Sequence, residues 1–224
     1  MAKNDPSPRT SRVVVLGLGR FGSSLALELV RRGSEVLGLD CDPVLVQKYA
    51  DDLTHAAVAD TTDPEALQQL DVPDFRRAVV GIGTNLEASI LTTAVLVDLG
   101  IPNIWAKAIS RQHGRILQRV GAHHVVLPEY EMGERVAHLV TGRMIDYIEF
   151  EDDFAMVKTA APGEILDRSL SASGVRTRYG ITVVAVKRPG EDFTYATPDT
   201  VVHHGDVLIV SGRINEVEAF ANLT

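Results

Sequence analysis

Six residues, GLGRFG at 17–22, stand between an unbroken apolar run (13–16) and an amphipathic stretch (23–32). That order limits the chain more than any other feature of the sequence. An apolar run without alternation suits a strand buried on both faces, as in a parallel sheet. Gly17 permits the tight turn out of the strand, Gly19 lets backbone approach a phosphate, and Gly22 lets the following helix pack closely. Leu25, Leu29 and Val30 then recur at helical spacing, and Gly33 suits a helix C-cap. Residues 35–40, EVLGLD, read as a second strand, which completes a βαβ unit. Asp40 ends it, where a carboxylate can accept hydrogen bonds from ribose hydroxyls and disfavours a 2′-phosphate. The free N–H groups at the helix start would face an anion.

The alternation continues. Helices are expected over 43–52, 63–70, 85–99 and 110–120, and strands over 55–59, 77–81, 104–108 and 124–127. Six strands alternating with helices describe an α/β fold, a Rossmann-like doubly wound parallel sheet. Residues 133–150 then read as helical, with Val136, Leu139, Val140, Met144, Tyr147 and Ile148 forming a wide apolar face that either packs home or pairs with another chain. After the acidic boundary at 151–153 the pattern changes. Strands are expected over 154–159, 181–187, 193–196 and 207–210, and helices over 166–173 and 213–221, which gives a small α+β domain. The organisation is therefore a lead at 1–11, a nucleotide-binding domain at 12–132, dimerisation or linker helices at 133–150, and a C-terminal domain at 151–224.

The candidate binding residues lie at the carboxyl ends of the strands, the binding edge of such sheets. They are Gly17, Gly19, Arg20, Phe21 and Gly22 in the first turn, Asp40 and Asp42 after the second strand, and Asp60 after the third. Gly81, Gly83 and Asn85 follow the fourth, and Lys107 ends the fifth. Arg20 within a glycine loop suggests extra phosphate charge to neutralise, or a contact across a dimer, against the plainer reading of an exposed surface arginine. Asp60 would meet a base or cap the next helix. Lys107 would reach phosphate or Glu129, or be solvated. Catalytic groups are hard to find. The chain carries no HExxH, GxSxG or Walker lysine motif, His123 and His124 read as structural, and His203 and His204 as solvated.

Composition closes several classes. The formal charge is −8 in 224 residues with neither half basic, so a broad nucleic-acid footprint is not expected. One cysteine, Cys41, allows no intrachain disulfide and no thiolate zinc site. No apolar run approaches the roughly 20 residues of a membrane helix. The start, MAKNDPSPRTSR, reads as a short disordered lead with neither signal peptide nor anchor. Any action at a membrane is expected to pass through a partner.

VVVLGLGRFGSSLALEL, EVLGLDCDP, NLEASILTTAVLVDLGIPNIWAKA and GAHHVVLPEYEMGERVA together resemble the regulator of potassium conductance (RCK) family, in its branch of cytosolic regulatory subunits of Ktr/Trk-type bacterial potassium transporters. YGITVVAVKR and GDVLIVSG resemble that family's C-terminal ligand-sensing domain. The resemblance implies binding of ATP or ADP, or in some relatives NAD(H). It also implies a homodimer assembling into an octameric ring on the cytosolic face of an integral-membrane potassium transporter subunit. It assigns Arg20 to the terminal phosphates, Asp40 to the ribose, and Glu129 to Mg²⁺ or another cation near the nucleotides; a plain helix-start acid is the alternative for Glu129. In some relatives the C-terminal domain binds cyclic di-AMP, and the matching residues are Arg176, Arg178, Ile181 and Val183, with His203 and Asp206 less firmly matched. Asp42 and Asp60 depart from the family's pattern, which the resemblance gives as a neutral polar and an asparagine-like residue; two extra carboxylates repel phosphate unless they face base or ribose, and they favour a less charged ligand than ATP.

Two other functions compete. An NAD-dependent oxidoreductase would explain the glycine loop and Asp40, but not the C-terminal domain or the missing catalytic pair. A scaffold with a vestigial site would bind no nucleotide at all.

Overall fold

The computed structural model describes residues 11–141 and 144–223, and the lead at 1–11 lies, apart from Ser11, outside them. The chain divides into two compact units, 1–129 and 130–224.

In the first unit the elements alternate as β1 (Arg12–Leu16), α1 (Arg20–Arg31), β2 (Glu35–Asp40), α2 (Pro43–Tyr49), β3 (His55–Val58) and α3 (Pro64–Gln69). They continue with β4 (Ala78–Val80), α4 (Leu86–Asp98), β5 (Ile104–Lys107), α5 (Arg111–Val120) and β6 (His124–Val126), and α6 (Pro128–Thr141) begins at the unit's end. The strand order is β3-β2-β1-β4-β5-β6, with the described pairings parallel. This is the Rossmann order, and its direction reverses between β1 and β4. Alternate residues of β1 point into different cores. Val14 and Leu16 join the core containing Leu96, Ile104 and Leu117, whereas Val13 and Val15 join Ala26, Val36 and Val46. That double burial is why the run carries no polar alternation.

Each helix from α2 to α5 starts on a capping side chain. Asp42 accepts from Val44 N–H, Asp63 from Glu65 N–H, Asn85 from Ala88 N–H and Ser110 from His113 N–H. Such caps contribute about 1 kcal/mol each. Because each helix follows a strand, the caps gather at the carboxyl edge of the sheet.

The second unit adds β7 (Met144–Phe150), β8 (Phe154–Ala160), β9 (Arg168–Ser169), α7 (Leu170–Ser173) and α8 (Val175–Tyr179). β10 (Thr182–Lys187), β11 (Thr194–Tyr195), β12 (Val201–Val202), β13 (Val207–Arg213) and α9 (Ile214–Ala221) complete it. An antiparallel sheet of order β11-β10-β13-β8-β7 packs on α9 through Val217, Phe220 and Ala221. A small pair, β12-β9, lies apart from it.

The expected helix over 133–150 is corrected here. The helix ends at Thr141, and Met144–Phe150 is a strand paired with β8. Its pairing register shifts between Met144 and Asp146, a bulge that lets Met144 and Tyr147 both turn into the core. Buried residues three apart imitate a helical period, and this misleads a reading by spacing alone. The apolar face itself is split. Leu139 packs against the second core, whereas Val136, Val140 and Ile148 stay exposed. The helix expected over 166–173 reduces to the single turn α7, capped by Ser169 and ended by Gly174 at φ 61°. α8 and β12 are elements that the sequence patterns leave unmarked.

Candidate functional site

The carboxyl ends of β1–β5 enclose a cleft of about 480 Å³. It lies at the switch point, where open α/β sheets bind ligands. Gly17, Gly19, Arg20, Phe21, Asp40, Asp42, Asp60, Gly81, Gly83, Asn85, Lys107 and Glu129 all line it. Gly22, expected among them, does not. A Cβ on Gly22 would sit 1.8 Å from the Gly17 carbonyl oxygen, so this glycine is required for packing within the loop. Gly17 adopts φ +96°, a left-handed conformation that glycine reaches without strain. Gly19 has open space beyond its Cα, toward the cleft.

Asp40 fastens the loop. Leu18 N–H donates to its Oδ2 at 2.6 Å, and Asp42 N–H donates to its Oδ1 at 2.9 Å. Each oxygen keeps a second lone pair for a ligand hydroxyl. Asp42 and Asp60 are engaged locally. Asp42 caps α2. Asp60 accepts from the Thr62 N–H and hydroxyl, which hold its carboxyl below the usual aspartate range. Asp60 therefore shapes a turn, while Asp63 caps the next helix. These local partners keep both extra carboxylates committed to backbone structure at the cleft's rim.

Lys107 is the buried cation of the site, with its side chain 11% exposed, and its Nζ donates to Glu129 Oε1 at 2.6 Å. Its ammonium also lies 5.7 Å from the centre of the Phe21 ring, on the first turn of α1. Glu129 itself is exposed. The Lys107 hydrogen bond, aided by the charges of Lys107 and Arg20, holds its carboxyl below the ordinary value of 4.5. Arg20, at the first position of α1, makes no hydrogen bond or ion pair among the described residues. Its guanidinium is available to a ligand.

The depressed Glu129 value has a readable consequence. The ion pair forms above the unfolded-state value and is lost as pH falls through the lower folded-state value. NMR titration of the Glu129 carboxyl is expected to give a midpoint below 4.5, and Lys107→Met should move it back up. A midpoint unchanged by Lys107→Met would show that the pair does not persist in solution.

Spacing did not reveal the apolar lining. Leu45, Ile82, Ala88 and Ile109 face the cleft from loops and first helical turns, where no periodicity marks them. Cys41 also lines it, exposed at the rim, and partial desolvation with the adjacent Asp40 pushes its thiol up.

A separate recess of about 360 Å³ lies in the second unit. Arg176, Ile181 and Val183 line it with Pro198 and Gly174. Arg178 does not. It pairs with Glu164 at 3.3 Å and stacks its guanidinium over Tyr179. One helical turn thus sends the two arginines to different surroundings. Outside the recess, His203 sits beside Asp167, and Asp206 accepts from His203 N–H.

Parallel sheet order, a glycine loop after β1, an acid at the end of β2 and cations lining the cleft together define a nucleotide-binding domain of Rossmann type. Models of the TrkA-N domain and the TrkA-C domain match residues 13–128 and 154–224. The chain belongs to the family of TrkA-N and TrkA-C domain proteins, the RCK family that its motifs resemble. It is 37% identical over 207 residues to the Ktr system potassium uptake protein C of Bacillus subtilis (strain 168), covering 92% of this chain and 94% of that protein. It is 34% identical over 215 residues to the Ktr system potassium uptake protein A of the same organism, covering 96% and 97%. Among solved structures, the GsuK RCK domain has the same fold, with a TM-score of 0.66 at 17% identity, covering 96% of this chain and 48% of that one. No helix among the described residues is long and apolar enough to cross a membrane.

Proposed function

We propose that this chain is a non-enzymatic, nucleotide-sensing regulatory subunit that gates a membrane potassium transporter from the cytoplasmic side. The observation that carries the reading is the placement of Arg20 and Lys107 beside the glycine loop, with Glu129 on Lys107. The relatives' names, potassium uptake proteins of a Ktr system, supply the process. The ligand is ATP or ADP, with NAD(H) as the alternative. Arg20 and Lys107 would take the terminal phosphates, and Asp40 the ribose.

The committed state of the acids favours a sensor over an NAD-dependent oxidoreductase. Asp40 holds two backbone N–H groups, Asp42 a helix start, Asp60 a turn, and Glu129 a lysine. A dehydrogenase needs a proton donor facing its substrate. Groups held in this way are suited to binding and positioning.

A phosphate oxygen that takes over Lys107 would leave Glu129 without its partner. A cation such as Mg²⁺ would then suit that carboxylate. Among the described residues no group of three or more His, Cys, Asp or Glu side chains could hold a metal alone. Glu129 therefore fits a cation only as one ligand among phosphate oxygens and groups of a second copy. In this reading the subunits pair and assemble into an octameric ring docked peripherally on the pore protein, with no nucleic-acid partner. The exposed Val136 and Val140 of α6 offer apolar surface for pairing. A ligand can gate the ring only through its difference in affinity for two ring shapes. Cyclic di-AMP would be a second ligand, at the recess lined by Arg176, Ile181 and Val183.

The test is calorimetry of nucleotide-stripped protein with ATP, ADP, NADH and cyclic di-AMP, with and without Mg²⁺. ATP and ADP are expected to bind tightly, ATP with a cation dependence. Arg20→Ala should narrow the ATP/ADP gap by about tenfold, the scale of one charge-assisted contact. An unchanged gap removes Arg20 from the sensing role. Tight binding of NADH alone favours the redox reading.

A further inference from the structure

The opposite edge of the same sheet carries a second concave site. Ser11, Arg12, Asp74, Arg76, Arg77, Pro102 and Asn103 line a recess of about 530 Å³ at the amino-terminal ends of β1, β4 and β5. We propose that this recess binds a phosphate group, held by Arg76 and Arg77 with support from Arg12.

Charge is the first argument. Three guanidiniums share one recess in a chain of formal charge −8. Arg12 is partly neutralised, since its Nε lies 3.6 Å from Glu35 and its guanidinium lies over the Phe75 ring. Arg77 donates through one nitrogen to the Ser11 hydroxyl, a neutral partner that positions the group and leaves its charge intact. Arg76 makes no hydrogen bond or ion pair among the described residues. Asp74 is the acid lining the recess, so the cations outnumber the acids there.

The geometry of the cations is the second argument. The recess calls for an anion, and an inorganic phosphate meets that requirement, as does a phosphodiester headgroup. Planar, forked guanidiniums match phosphate oxygens bidentately, which a set of lysines would not do. The inference does not depend on what fills the nucleotide cleft.

Two probes distinguish the sources of the phosphate. One is inorganic pyrophosphate, followed by calorimetry. The other is co-sedimentation with phosphatidylglycerol vesicles against phosphatidylcholine vesicles. Both are run on the full chain as wild type, Arg76→Glu and Arg20→Ala. Arg76 is exposed and without internal partners, so its reversal leaves the fold intact, which a thermal melt checks. The recess component is the binding that Arg76→Glu lowers by about tenfold or more while Arg20→Ala leaves it in place. Its appearance with pyrophosphate identifies a soluble phosphate ligand. Its appearance only with the anionic vesicles identifies a lipid headgroup. Binding of neither probe, or binding that Arg76→Glu does not change, overturns the proposal.

Discussion

Gly22→Ala is expected to destabilise the protein by about 3–5 kcal/mol, the range of severe overpacking at a site that cannot yield. The added Cβ would lie 1.8 Å from the Gly17 carbonyl oxygen and 3.5 Å from Val15 Cγ1. A flexible side chain could move aside, but a loop carbonyl cannot, because the neighbouring backbone is already fixed. Gly17 N–H donates to Leu39 O, and Gly81 N–H donates to Leu16 O, both at 2.7 Å. Relief therefore requires α1 to separate from β1 and uncover the core formed by Val13, Val15 and Ala26. A thermal melt followed by circular dichroism should show a drop of about 10 °C. Gly19→Ala is the matched control. Nothing lies within 4 Å of its added Cβ, and φ is −61°, so the melt should stay within about 0.5 kcal/mol of wild type. That methyl instead occupies the space a phosphate would enter, and nucleotide affinity should fall. Equal melts for the two variants would contradict the division of roles between the glycines.

This division also shows what the sequence makes legible. The motif with its strand, helix and acid placed the cleft, because every part of it is a local backbone requirement: a left-handed φ at Gly17, a close approach at Gly22, a strand end at Asp40. The motif alone does not separate the glycine that faces ligand from the one that faces backbone, since that depends on where the Gly17 carbonyl points. The caps are equally local in origin, yet Asp42 and Asn85 read from the sequence as binding candidates, and the structure shows their side chains starting α2 and α4.

The failures have a common cause in long-range pairing. Residues 133–150 look helical by spacing, yet from Met144 the chain pairs with β8. The bulge at Met144–Asp146 is set by that pairing, and it places Met144 and Tyr147 on one face at an interval a regular strand forbids. Arg176 and Arg178 are likewise alike in sequence. Glu164, 14 residues before Arg178, claims one of them and leaves the other to the recess. The amino-terminal recess is assembled from three strand starts far apart in the chain, and no motif announces it.

Asp40→Ala is expected to weaken nucleotide binding by about 100-fold, since hydrogen bonds to a charged acceptor contribute about 1.5–3 kcal/mol. The loss should have two parts. The carboxylate holds Leu18 N–H and Asp42 N–H, so its removal leaves two backbone donors unpaired at the loop that would receive the phosphates. It also removes the acceptor that would meet the ribose. A ligand series separates the two. Pyrophosphate lacks a ribose and reports on the loop, whereas ADP reports on both, with Arg76→Glu as the common background so that the opposite edge of the sheet does not contribute. Both affinities should fall, ADP further than pyrophosphate. Asp40→Asn should lie between wild type and alanine, because the amide keeps one acceptor oxygen but turns its nitrogen, a donor, toward one of the two N–H groups. If pyrophosphate binding is unchanged in Asp40→Ala while ADP binding falls, the acid serves the ribose alone and the fastening role is wrong. If both fall equally, the contact with ribose is wrong, and Asp40 acts on the ligand only through the shape of the glycine loop.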